Sequence, residues 1–72
     1  MTLEEAKKKI LDEKILPRID RIFDYEEFWV FHCAETDEAD DSPPAIRKDD
    51  GSLFWFFVPD YPPDLKYTVI KG

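Results

Sequence analysis

The sequence predicts one small α+β domain over residues 1–72, with an N-terminal helix packed on an antiparallel sheet of three to four strands. Three observations carry that prediction. Thr2-Leu3-Glu4-Glu5 has the spacing of a helix capping box, Phe28-Trp29-Val30-Phe31-His32-Cys33 is an apolar run of strand length, and Asp49-Asp50-Gly51 separates two β-type segments as a hairpin turn would.

In the capping box the Thr2 hydroxyl and the Glu5 carboxylate each satisfy a backbone N–H of the first turn. Leu3, Ala6 and Ile10 then fall on one helical face, with Leu11 and Ile15 flanking it. Glu4/Lys8 and Glu5/Lys9 are i,i+4 pairs in the favourable acid-before-base order. Pro17 disfavours helical geometry at Leu16, so the helix is expected to close near Lys14 to Ile15.

Ile19, Ile22 and Phe23 allow a short strand between Arg18 and Asp24, and Tyr25-Glu26-Glu27 then turns the chain into the apolar run. Phe28 to Cys33 is apolar on both alternating faces, which suits a central strand. Residues Glu35 to Pro44 carry five acids, Ser42 and a Pro-Pro pair, the composition of an exposed loop. Ala45 to Lys48 is the next strand, Gly51 supplies a positive φ at the turn, and Leu53 to Val58 returns. The segment from Pro59 to Asp64 breaks regular structure. Lys66 to Ile70 either adds a final short strand or lies extended over the sheet.

Alternation places Leu53, Trp55 and Phe57 on one side of the return strand and Phe54, Phe56 and Val58 on the other. In the central strand Phe28 and Val30 oppose Trp29, Phe31 and Cys33. Both faces of the sheet are therefore apolar. A single helix covers one face, so the other calls for the Pro-rich tail, a second copy or a different protein.

A 72-residue chain buries only about 60% of the surface it exposes when unfolded, so it holds one core. One cysteine excludes an internal disulfide, and one histidine with one cysteine cannot build a structural zinc site, so apolar packing must hold the fold. The acidic start Met1-Thr2-Leu3-Glu4-Glu5 lacks the pattern of a leader peptide, and no apolar stretch has membrane-spanning length. A reduced, cytoplasmic setting is the expectation, with no membrane partner. The net charge of −7 argues against binding phosphate backbones and therefore against nucleic acid; it suits solubility, or an acidic face that steers a basic protein.

The residues offer little for catalysis. His32 and Cys33 are neighbours on a strand and point to opposite faces, so they cannot form a nucleophile–base pair. No phosphate-cradling glycine loop, nucleophile elbow or H-E-x-x-H pattern occurs. The acids Glu35, Asp37, Glu38, Asp40 and Asp41 lack the alternation and central glycine of a calcium loop. The sequence predicts no catalytic residue, no metal site and no cofactor. What it holds in surplus is aromatic side chains, which interfaces concentrate at their centres. Trp55, Phe57 and Trp29 are the candidate apolar anchors for a protein partner, and Asp37, Glu38, Asp40 and Asp41 its candidate rim charges. Two other readings remain open: a homodimer that buries the second apolar face against its twin, and a small-molecule site or minimal enzyme with His32 at a pocket.

Phe28-Trp29-Val30-Phe31 looks like an aromatic-Val-Phe strand, and Pro44-Ala45-Ile46-Arg47-Lys48-Asp49-Asp50-Gly51 like a Pro-apolar-apolar-basic strand ending in a glycine turn. In that order, after a helix, they resemble the YrhB-like family of small bacterial immunity proteins. The likeness covers Phe28 to about Val58. The loop before Pro44 departs from the family pattern, being acidic and Ser-Pro-Pro rather than small and glycine-rich. The resemblance implies a non-enzymatic bacterial protein that binds one toxin domain, using its sheet surface and acidic loop.

Overall fold

The first turn closes as the Thr2-x-x-Glu5 spacing dictates: Glu5 N–H donates to Thr2 Oγ1 at 3.3 Å and Thr2 N–H donates to Glu5 Oε1 at 3.2 Å. Helix α1 runs Leu3–Asp12 in a computed structural model that describes residues 1–33, 43–56 and 64–71. It ends sooner than Pro17 alone requires. Glu13 is the C-cap and Lys14 takes the left-handed conformation at φ 55°. Lys14 N–H then donates to Leu11 O and Ile15 N–H to Ile10 O, both at 3.1 Å. These two bonds are a Schellman closure, with Ile15 folded back on the cluster that contains Ile10.

Among the described residues there are five strands, β1 (Arg21–Tyr25), β2 (Phe28–His32), β3 (Pro44–Arg47), β4 (Leu53–Trp55) and β5 (Tyr67–Lys71). They form one sheet in the order β4-β3-β2-β1-β5, and every neighbouring pair is antiparallel. The expected three to four strands are thus corrected to five. Both weakly signalled segments are strands: β1 starts at Arg21, after an Arg18–Asp20 ion pair at 3.1 Å, and Tyr67–Lys71 pairs along all of β1. The return strand is shorter than Leu53 to Val58. Regular pairing stops at Trp55, Phe56 N–H still donates to Pro43 O at 2.8 Å, and Phe57 and Val58 lie outside the described residues.

The β3–β4 turn follows its sequence. Gly51 has φ +73°, its N–H donates to Arg47 O at 3.0 Å, and Ser52 N–H donates to Asp50 Oδ1 at 2.9 Å. This turn also ties to the last turn of the helix and to the residue before its N-cap. Lys9 Nζ donates to Gly51 O at 3.1 Å, and the Met1 ammonium donates to Lys48 O at 3.2 Å. A Cβ on Gly51 would stand 2.5 Å from Met1 Cε, at the far end of a flexible side chain. Gly51→Ala is therefore expected to cost about 1 kcal/mol, from the positive φ rather than from the Met1 contact. The reverse change at the other left-handed residue, Lys14→Gly, is expected to stabilise by about 0.5–1 kcal/mol. Urea melts of the two variants should move in opposite directions.

The sheet carries two apolar clusters, one per face. Ile22, Trp29, Phe31, Cys33 and Ile46 share the first with Ala6 and Ile10 of α1 and with Leu16. Leu3, Ile15, Ile19, Leu53 and Ile70 pack against it. Tyr25, Phe28, Val30, Ala45 and Phe56 form the second, with Phe23, Phe54 and Leu65 against it. The registers require this division, since Ile22 faces Phe31 and Trp29 faces Ile46, whereas Phe23 faces Val30 and Val30 faces Ala45.

The second face is a ladder of rings across the strands. Phe54 of β4 meets Phe28 of β2 edge-on at 5.3 Å between centroids, Phe28 stacks on Tyr25 of β1 at 4.8 Å, and Tyr25 meets Tyr67 of β5 at 5.2 Å. Such ring pairs contribute about 0.5–1.5 kcal/mol each beyond the area they bury.

Candidate partner-binding surface

The two tryptophans occupy opposite environments. Trp29 sits in the central strand, 7% exposed, in the cluster shared with the helix. Lys48 Nζ lies 5.3 Å over its ring and 2.6 Å from Asp24 Oδ1, which roofs the indole with an ion pair. Trp29 thus belongs to the core and offers a partner almost no surface. Trp55 sits on the edge strand β4 and is 55% exposed. It stands directly opposite Pro44, on the same face as Leu53 and Ile46.

Trp55 is the anchor candidate that the structure leaves accessible. Its surroundings connect it to the acidic segment through the chain. Pro44, its cross-strand partner, is fully buried and lies three residues after Asp41 in the sequence. Asp37, Glu38, Asp40, Asp41 and Phe57 lie outside the described residues. Arg47, at the other end of β3, holds its guanidinium carbon 5.7 Å over the Phe54 ring.

Tyr67 and Val69 on β5 are a second accessible apolar pair, 51% and 55% exposed. Sequence reasoning did not single them out. The signal was present in the alternation of Tyr67-Thr68-Val69-Ile70-Lys71, in which Ile70 faces Ile22 while Tyr67 and Val69 share the ring-bearing face with Tyr25 and Phe23. The middle of that face is already closed: Val30 and Ala45 are fully buried and Phe56 is 5% exposed. Its β5 side, with Tyr67 and Val69, carries the exposed large apolar residues of this face among those described.

His32 and Cys33 take opposite faces. The His32 ring lies 4.3 Å from Phe23 on the second face, whereas Cys33 is a buried free thiol in the first cluster. No group of three His, Cys, Asp or Glu side chains gathers among the described residues. An open cleft of about 570 Å³ lies beside β5, lined by Asp24, Asp64, Leu65, Lys66, Tyr67 and Thr68, and His32 is not part of it. No helix among the described residues is long and apolar enough to cross a membrane.

Comparison with family models, with curated proteins and with solved structures finds no match. The surface must speak through its own chemistry.

Among the described residues, three groups have displaced ionisation. Hydrogen bonds from the Thr2 backbone and hydroxyl hold the Glu5 carboxyl below its ordinary 4.5, and those from Ser52 hold Asp50 below its ordinary 3.8. Burial, reinforced by Tyr67, raises Tyr25 above its ordinary 10.0. Both carboxylates bind protons more weakly in the folded chain, so their contribution is present above the unfolded values and is lost as pH falls through the folded ones. Acidification below the ordinary 4.5 of Glu5 and 3.8 of Asp50 is expected to remove that stability progressively, and the double variant Glu5→Gln/Asp50→Asn should lose less over the same acid range. Tyr25 works in the opposite direction: its contribution holds below pH 10.0 and is lost as pH rises through the raised value. Thermal melts of the parent and the double variant across both windows check the signs.

Proposed function

We propose that this chain is a non-enzymatic protein-binding module. Trp55 serves as its apolar anchor, and Asp37, Glu38, Asp40 and Asp41 supply charge around it toward a basic partner. The observation that supports this reading is the exposed Trp55 on an edge strand, paired with the proline that closes the acidic segment. Tryptophan is strongly enriched among residues that dominate binding energy, and acidic surroundings steer a basic partner while leaving the apolar contact to hold it. The helix, on this reading, covers one sheet face and steadies the β3–β4 turn through Lys9 and Met1, which fixes the strand that carries Trp55.

The specific form we propose is neutralisation of a toxin domain by an immunity-type protein, the function implied by the resemblance of Phe28 to Val58 to the YrhB-like family. The setting we propose is cytoplasmic, in keeping with a sole cysteine kept as a buried thiol. Capture from lysate of the source organism tests the reading, with wild type and Trp55→Ala as parallel baits at low and high salt. One stoichiometric basic protein, retained by wild type at low salt and lost from Trp55→Ala, is expected. Equal retention by both baits would remove Trp55 as the anchor.

A homodimeric structural or regulatory role is the second reading. It draws on a different surface, the exposed Tyr67 and Val69 of β5.

A further inference from the structure

β5, like β4, is an edge of the sheet, and three of its features bear on what it can pair with. It pairs only with β1 among the described residues, so its outward backbone groups form a template for another strand. Its residues Tyr67, Thr68, Val69 and Ile70 all have high β-propensity, and Tyr67–Lys71 holds no proline and no bulge, so that Lys71 at its end is the one residue there of a kind that blunts an edge. Residues 64–71 also carry two lysines against one aspartate, within a chain of net charge −7.

We propose that β5 is a homodimer edge, in which two copies pair antiparallel about a two-fold axis through Val69 and continue the sheet from one subunit to the other. Strands related by such an axis keep the same face of both sheets on one side, so residue numbers opposite one another must sum to twice that of the axial residue. Centred on Val69, the pairing sets Val69 against Val69, Thr68 against Ile70, and Tyr67 against Lys71 of the copy. Each pair is compatible. The valines close the centre, and Lys71 lies over an exposed aromatic ring rather than against a like charge. An axis at Lys71 would oppose two ammonium groups, and one at Ile70 would set Lys71 against Val69.

Charge favours this edge over the others. Two acidic chains repel, and they approach at least cost through the segment whose own balance is positive. The pairing also merges the ring-bearing faces, so that Tyr67 and Val69 gain cover which the monomer does not give them. The dimer does not depend on the proposed role of Trp55, which lies at the opposite edge of the sheet.

Mass by light scattering from about 10 µM to about 500 µM tests the proposal, because an interface of one short strand pair falls in the weak class. The mass is expected to approach twice the monomer value within that range, and to do so at lower concentration in high salt, where repulsion between acidic chains is screened. A basic-partner complex would weaken under the same change. Val69→Lys is expected to raise the dissociation constant at least about tenfold by placing two cations on the axis, with the thermal melt of the monomer unchanged. Val69→Cys should give a reducible covalent dimer on mild oxidation, whereas Tyr67→Cys and the helix control Leu11→Cys should not. A chain that stays monomeric throughout, a dimer that survives Val69→Lys, or equal cross-linking at all three positions would overturn the proposal. Because capture by Trp55 is read separately, loss of either reading leaves the other standing.

Discussion

Phe31→Ala is expected to leave the chain largely unfolded at room temperature. Phe31 is fully buried in the central strand, faces Ile22 across β1, and belongs to the cluster that α1 shares with the sheet. Truncating a buried phenylalanine costs about 3–5 kcal/mol, because the lost transfer energy is compounded by the cavity left behind. At about 0.05–0.15 kcal/mol per residue, a domain of this size has only about 4–10 kcal/mol to lose. Urea unfolding followed by circular dichroism should show the midpoint moving close to zero denaturant. A loss below about 1 kcal/mol would mean that the cavity collapses fully or that Phe31 is not at the centre of the core.

The second large effect separates the two tryptophans. Trp29→Ala is expected to cost about 3–5 kcal/mol of stability, since it empties the site between Ile46 and the Asp24–Lys48 pair. Trp55→Ala is expected to change stability by about 1 kcal/mol or less, because more than half of the residue already faces solvent. In binding the order reverses. Loss of an exposed aromatic anchor costs at least about 2 kcal/mol of affinity, roughly a thirtyfold weakening. Melts and titrations on both variants therefore form a crossed test. If Trp55→Ala were the more destabilising of the two, the assignment of core and surface would be reversed.

That contrast marks what could be read from the sequence. Both tryptophans lie in aromatic strands with similar neighbours; two apolar faces marked Phe28 to Cys33 as a central strand, which it is, but the equally apolar Leu53 to Val58 carried no mark of an edge. The difference comes from strand order, a property of non-local pairing. The same holds for β5, whose partner β1 lies more than forty residues earlier in the chain and at the other side of the sheet from β4. Features held by short-range chemistry were legible. The Thr2–Glu5 box started the helix where it stood, Gly51 took its positive φ, and the two faces of β2 separated as alternation required.

The helix end was misplaced because its stop is a lysine in the left-handed conformation, where a glycine would have announced it. The candidate site was legible only in part. Trp55 is exposed as an anchor must be, Trp29 is core, and the exposed Tyr67 and Val69 became visible once the register fixed their face. Alternation also separated the neighbours His32 and Cys33, the first lying against Phe23 and the second in the cluster on the helix side.

On the proposed reading, Trp55 holds a basic protein partner within an acidic rim. Calorimetric titration of the purified captured partner into wild type and Trp55→Ala, each at low and high salt, tests it most directly. Affinity is expected to fall with salt for wild type and to be at least about thirtyfold weaker for Trp55→Ala at both salts. Equal affinity for the two proteins, or binding indifferent to salt, would contradict it.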